Sequence, residues 1–112
     1  MDKRRDDRVI VAFNAELVSN NLNYAGIIEN LSDKGVFMRT FPVKTPLNFP
    51  PGSKINLKFQ LPSGEKLSLN CIVRWFFKTP PHGLTNSIGM EIKNPPARYK
   101  EFLSNPVYFI KK

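Results

Sequence analysis

The chain has 112 residues, 41% of them hydrophobic, and carries a formal net charge of +8. That length leaves room for one domain with one core, and that apolar content excludes a disordered chain. A single cysteine excludes an internal disulfide framework, no apolar stretch approaches the roughly 20 residues of a spanning helix, and the charged N-terminus lacks the apolar core of a signal peptide. The chain is therefore expected to be a soluble, cytoplasmic domain. Its basic balance suits anionic partners: nucleotides, nucleic acid or an acidic membrane surface. Lysines such as Lys54, Lys58, Lys66, Lys78, Lys93, Lys111 and Lys112 are scattered, as solvated charges are, whereas Lys3, Arg4, Arg5 and Arg8 form a dense group.

Residues 1–8 read as a flexible basic arm, with Arg4-Arg5-Asp6-Asp7-Arg8 holding the spacing Arg-x-x-x-Arg. Val9 to Val18 is β-branched and apolar and predicts a first strand. Asn20, Asn21 and Asn23 mark a turn. Tyr24 to Glu29 predicts a second strand leading into Asn30-Leu31-Ser32-Asp33-Lys34-Gly35, which reads Asn-x-Ser-x-x-Gly. The Ser32–Gly35 stretch is a tight connection, so Val36 to Thr40 is expected to return as a hairpin partner. Phe41 to Gly52 holds Pro42, Pro46, Pro50 and Pro51, a density that forbids ladder pairing and predicts a long connection.

The clearest alternation follows. Ile55, Leu57, Phe59 and Leu61 alternate with polar residues, giving one core face and one wet face. After the turn Pro62-Ser63-Gly64-Glu65, the same period places Leu67, Leu69, Cys71, Val73, Trp75 and Phe77 inward, and Ile72, Arg74 and Phe76 outward. Cys71 then reads as a small core hydrophobe. Thr79 to Asn86 is a loop containing His82, which has no carboxylate or second histidine close in sequence. Ile88, Met90 and Ile92 supply the last inward face. Asn94 as N-cap and Pro95 at the first helical position predict a helix over 95–104, with Tyr99, Phe102 and Leu103 on its apolar face and Pro106 ending it. The tail 105–112 carries Val107 to Ile110, which either docks back or contacts a partner. About six strands, mostly antiparallel, must bury one apolar face in a small chain. Closing the sheet hides both that face and its edges. The expected architecture is all-β: a six-stranded antiparallel β-barrel over 9–93 with one C-terminal α-helix, in a single domain.

Two motifs carry chemistry. Arginine forks match paired acceptors, as on phosphate or on the O6/N7 edge of guanine. Asn30 offers an acceptor and a donor, Ser32 a hydroxyl, and Gly35 is expected to take a backbone conformation that a Cβ would forbid. The set describes a pocket for a guanine nucleotide that carries phosphate. Arg5 and Arg74 are secondary candidates; Arg74 is either solvated or part of an interface or second ligand wall. An enzyme finds no support: there is one histidine, one cysteine, no metal-ligand spacing, no phosphate-binding glycine loop and no nucleophile elbow.

With these motifs in order, the chain resembles a PilZ domain. The likeness continues through Pro51-Gly52-Ser53, Ile72-Val73-Arg74-Trp75 and Ile88-Gly89-Met90-Glu91-Ile92 and covers nearly the whole chain. It implies a bacterial receptor for cyclic di-GMP, without catalysis or further cofactor, in which Arg4, Arg8, Asn30, Ser32 and Gly35 form the site and the ligand orders the arm. Asn30 stands where Asp is commoner in that family. A downstream protein partner is implied. Two alternatives are a PilZ-like interaction module without nucleotide binding and a small nucleic-acid-binding barrel. The latter calls for solvent-facing aromatics at period two, whereas Phe59, Trp75 and Phe77 are expected to alternate inward.

Overall fold

The computed structural model describes residues 8–42, 49–78 and 85–104. Most of the basic arm, with Arg4 and Arg5, the centre of the proline-rich connection, the His82 loop and the tail lie outside the described residues. Six strands form in chain order: β1 (Val9–Ser19), β2 (Leu22–Leu31), β3 (Gly35–Thr40), β4 (Lys54–Gln60), β5 (Lys66–Lys78) and β6 (Asn86–Lys93). They close into a barrel in the order β1-β2-β3-β6-β5-β4, every neighbour antiparallel. Helix α1 (Ala97–Ser104) follows.

Local chemistry sets the connections. Ser19 pairs with Leu22, and Asn20 and Asn21 between them have φ of 51° and 67°. Both central residues of this two-residue turn are left-handed, as the right-handed twist of a hairpin demands, and asparagine tolerates that region. Asn23 lies within β2 rather than in the turn, paired with Val18. Gly64, with φ of 98°, closes the β4–β5 turn. The barrel is filled by Leu17, Ile28, Leu31, Val36, Met38, Leu57, Leu69, Val73 and Ile88, all essentially inaccessible, and Cys71 joins them.

Helix α1 covers the barrel end where β1 starts and β2 ends. Tyr99 and Phe102 are fully buried there, and Phe102 meets Phe13, which in turn stacks on Phe59. On its exposed side Arg98 donates from Nε to Glu65 Oε2 at 2.9 Å and from Nη1 to Glu101 Oε1 at 2.6 Å. The Arg98 fork holds the Glu65 carboxyl below the usual carboxylate range. The helix starts at Ala97, two residues later than the sequence predicts. Asn94 is left-handed, with φ of 50°, and Pro95 precedes Pro96, whose ring disfavours the helical region for the residue before it. The Pro96 carbonyl accepts the first amides, from Tyr99 and Lys100.

The main departure from the expected pattern is in β5. Leu67, Leu69, Cys71 and Val73 point inward as their alternation predicts. Between Val73 and Trp75 the pairing with β6 then slips by one residue. A bulge of this kind reverses the sense of every side chain beyond it. Trp75 is 37% and Phe77 63% exposed, while Phe76 turns toward the core and meets Phe49 edge-on. The expected inward Trp75 and Phe77, and the expected outward Phe76, are corrected by this one extra residue, whereas Arg74 is exposed and Ile72 is only half-buried, in keeping with the expected outward row.

Candidate functional site

Strand pairing delivers the two motifs to one place. Val9 pairs with Leu31 and Ile10 with Asn30, so Arg8, one residue before β1, stands at the end of β2. Arg8 Nη1 donates to Asn30 Oδ1 at 2.6 Å. Asn30 faces outward because of a second slip. Ile28 and Leu31 are both buried, and the β2–β3 register shifts between Ile28 and Asn30. Unbroken alternation from Ile28 would have turned Asn30 into the barrel. A third slip lies in β1 between Ile10 and Phe13, and Ile10, opposite Asn30, is 83% exposed.

The Ser32–Gly35 turn is held from within and from two sides. Ser32 N donates to the Gly35 carbonyl at 2.9 Å, and Gly35 N donates to Ser32 Oγ at 3.0 Å. From β6, Ile92 N donates to the Lys34 carbonyl at 2.8 Å. From α1, the Tyr99 hydroxyl donates to the Ser32 carbonyl at 2.6 Å. Burial, the largest cause, pushes the Tyr99 phenol well above its ordinary range, so it stays a donor at any physiological pH. Ser32 is buried and its hydroxyl caps the turn. Gly35 differs from the expectation: it is not among the left-handed residues. A Cβ there would lie 3.3 Å from both Arg8 Nη2 and Ser32 Oγ, so close approach, rather than backbone angle, makes glycine suitable.

These groups border a concave site of about 540 Å³, open to solvent, which β3, β5 and β6 complete with Phe37, Arg74, Trp75, Gly89, Met90 and Glu91. Its size falls in the usual range for small-molecule sites. Among the described residues, Arg8, Lys34 and Arg74 supply three cationic side chains against the one carboxylate of Glu91. That carboxylate lies between Arg74 Nη1 at 3.5 Å and Lys93 Nζ at 3.6 Å. The pairs are exposed and individually weak, which leaves Arg74, the one of the two that lines the site, able to turn toward an anion. Among the described residues no three of His, Cys, Asp and Glu group as a metal site, and no helix is long and apolar enough to cross a membrane.

One wall is aromatic. Gly89 pairs with Phe37 on one side and Trp75 on the other. The Trp75 indole lies against the Gly89 backbone so closely that a Cβ there would enter the ring. Phe37 lies 5.4 Å and Phe77 5.3 Å from Trp75 between ring centroids, making a cross-strand aromatic row at the rim of the site. The sequence pattern of β5 concealed Trp75, although an isolated glycine within a strand, Gly89, is a signal of close approach. Arg8, Asn30, Ser32 and Gly35 are brought together, with Arg74 at the far edge. Arg4 and Arg5 lie outside the described residues.

A six-stranded closed barrel, capped by a C-terminal helix and bearing a cationic concavity beside one turn, defines a small binding domain. The family profile described as the PilZ domain matches residues 2–108, and the chain belongs to that family. No curated protein sequence matches it. Solved structures share the fold. The PilZ domain of YcgR from Escherichia coli with c-di-GMP superposes with a TM-score of 0.72 at 12% identity, over 96% of this chain and 90% of that one. The MrkH–c-di-GMP complex of K. pneumonia gives 0.72 at 18% identity, over 96% and 53%. The inhibitor of motility MotI/DgrA of Bacillus subtilis gives 0.70 at 17% identity, over 92% and 48%. The chain thus spans about half the length of MrkH and MotI.

Proposed function

We propose that this PilZ domain is a non-catalytic receptor for cyclic di-GMP. The observation that carries the reading is the convergence of Arg8 with Asn30 and the Ser32–Gly35 turn, 22 or more residues further along the chain, on one open cationic concavity. The Arg8 fork suits phosphate oxygens or the O6/N7 edge of guanine. Asn30 offers an amide to the base, and the glycine at position 35 lets a ligand and Arg8 approach the turn. The family membership and the nucleotide named in the YcgR and MrkH structures support the same ligand. Arg4, four residues before Arg8, joins the grip by its spacing. Binding then orders the arm across the site, and arm plus nucleotide form the surface that a downstream protein reads.

Calorimetry with cyclic di-GMP, with GTP and single-stranded DNA as controls, tests the receptor. Arg8→Ala is expected to weaken binding about tenfold to a hundredfold, since a bidentate guanine contact is worth about 1–3 kcal/mol, and to leave the melting temperature unchanged. Unchanged affinity removes Arg8 from the pocket. Backbone NMR relaxation of residues 2–8, with and without nucleotide, tests the arm; identical relaxation in both states refutes its ordering.

A second reading, binding of single-stranded nucleic acid, gains from one observation. Trp75 and Phe77 face solvent at period two in a basic barrel, as stacking platforms do. Tighter binding of single-stranded DNA than of cyclic di-GMP in the same titration would favour it.

A further inference from the structure

We propose that Tyr99 is a positioning residue that ties α1 to the Ser32–Gly35 turn, so that occupancy of the site and docking of the helix reinforce one another. This deepens the nucleotide-receptor reading and rests on it. The turn has few ways to be held. Ser32 N and Oγ are committed to Gly35, and the Lys34 carbonyl is committed to Ile92 of β6. The Ser32 carbonyl takes the Tyr99 hydroxyl at 2.6 Å, a bond that crosses 67 residues of sequence and is fully buried. The side chain that shapes the turn and the helix that caps the barrel therefore meet on one residue.

The helix is the natural receiver. It has eight residues, too few to stand without tertiary contacts. It is held to the barrel by contacts that include the Tyr99 bond, the buried Phe102 against Phe13, Leu103 against the core and the exposed Arg98 contact to Glu65. Loss of the Tyr99 bond removes the helix's hold on the turn and the turn's hold on α1 together. A ligand gripped by Arg8, Asn30 and the turn favours the turn geometry that Tyr99 also favours. Thermodynamic reciprocity then requires that ligand binding tighten helix docking by the same factor that docking tightens ligand binding. Segments of low local stability are the ones such coupling can move.

The test uses the full chain, Tyr99→Phe, Phe102→Leu and Arg8→Ala, with calorimetry against cyclic di-GMP and amide hydrogen exchange of residues 97–104. Tyr99→Phe keeps the ring and removes only the hydroxyl; it is expected to weaken binding about fivefold or more. Nucleotide should slow exchange in α1 of the wild type and do so much less in Tyr99→Phe. Phe102→Leu loosens the same helix at its contact with Phe13 of β1 and keeps the Tyr99 hydroxyl; it is expected to cost stability with less loss of affinity. Wild-type affinity in Tyr99→Phe, or an equal loss in Phe102→Leu, overturns the positioning role. So does unchanged α1 exchange in the liganded wild type, a measurement that stands even if a variant fails to fold. Weak binding by Arg8→Ala beside normal binding by Tyr99→Phe would leave the receptor reading standing and this one refuted. Absence of wild-type binding refutes both.

Discussion

The β4–β5 hairpin and the wall of the site are built from the same strand, and they obey different rules. From Lys54↔Ile72 to Gln60↔Lys66 the hairpin pairs seven residues without a slip. Its inward residues Ile55, Leu57, Phe59, Leu67, Leu69 and Cys71 are all buried. Its outward face is polar and self-satisfied: Ser68 Oγ donates to Asn56 Oδ1 at 2.8 Å, and Asn56 Nδ2 donates to Asn70 Oδ1 at 3.1 Å. Beyond Val73 the regularity ends. Register slips occur in β1, β2 and β5; those in β2 and β5 turn out Asn30 and Trp75, which alternation would hide, and a strand glycine makes room for an indole. Regular pairing concentrates apolar area in the core, whereas irregular pairing aims side chains at a ligand. The regular core and the proposed site are therefore built from separable residues.

That separation can be attacked from either side. Leu57→Ala, at a fully buried position of the hairpin, should give the largest effect: a loss of about 2–5 kcal/mol in denaturant unfolding, with nucleotide affinity of the folded protein unchanged. A parallel fall in affinity would show that hairpin and site are coupled. Gly89→Ala forces a Cβ into the Trp75 ring and should cost about 1–3 kcal/mol as overpacking does. Trp75 is the single tryptophan of the chain, so its fluorescence emission reports the displacement directly; an unmoved spectrum would mean that the wall accommodates the methyl group. At Asn30 smaller changes are expected. Asn30→Asp should tighten guanine binding or leave it level, because a carboxylate offers two acceptors, and Asn30→Ala should weaken it by removing the group that Arg8 contacts. Equal affinities in a three-way titration would reduce Asn30 to shaping the turn. The smallest effect is at Cys71: burial pushes its thiol up to about 12, so iodoacetamide at pH 8 should leave the folded protein unmodified and label it only on unfolding. Labelling of the folded state would place hairpin opening among its ordinary motions.

The positions where sequence reading succeeded are those governed by local rules. Alternation in β4 and the first half of β5 predicted which side chains are buried, and the asparagine and glycine turns fell where their backbone tolerance allows. The motif Asn-x-Ser-x-x-Gly was legible because a tight turn needs a capping hydroxyl and a residue without Cβ. Arg8 was legible from its spacing, and its neighbour Val9 from β-branching. Trp75 was missed for the same reason that Leu69 was found: the period of two was extended through Arg74, where pairing slips. The helix start was placed early because an asparagine followed by proline reads as a cap, while the second proline forbids that geometry.

Sequence alone determined the fold class, the strand count and the face that each regular strand buries, because these depend on a few neighbouring residues at a time. Tertiary structure alone decided that Arg8 meets Asn30, that Trp75 leaves the core to lie on Gly89, and that a tyrosine in the last helix reaches the Ser32 carbonyl. Register is the physical reason. A single extra residue in one strand reverses the facing of all that follow, and nothing within that strand records it; the slip is fixed only by what the partner strand and the covering helix accept.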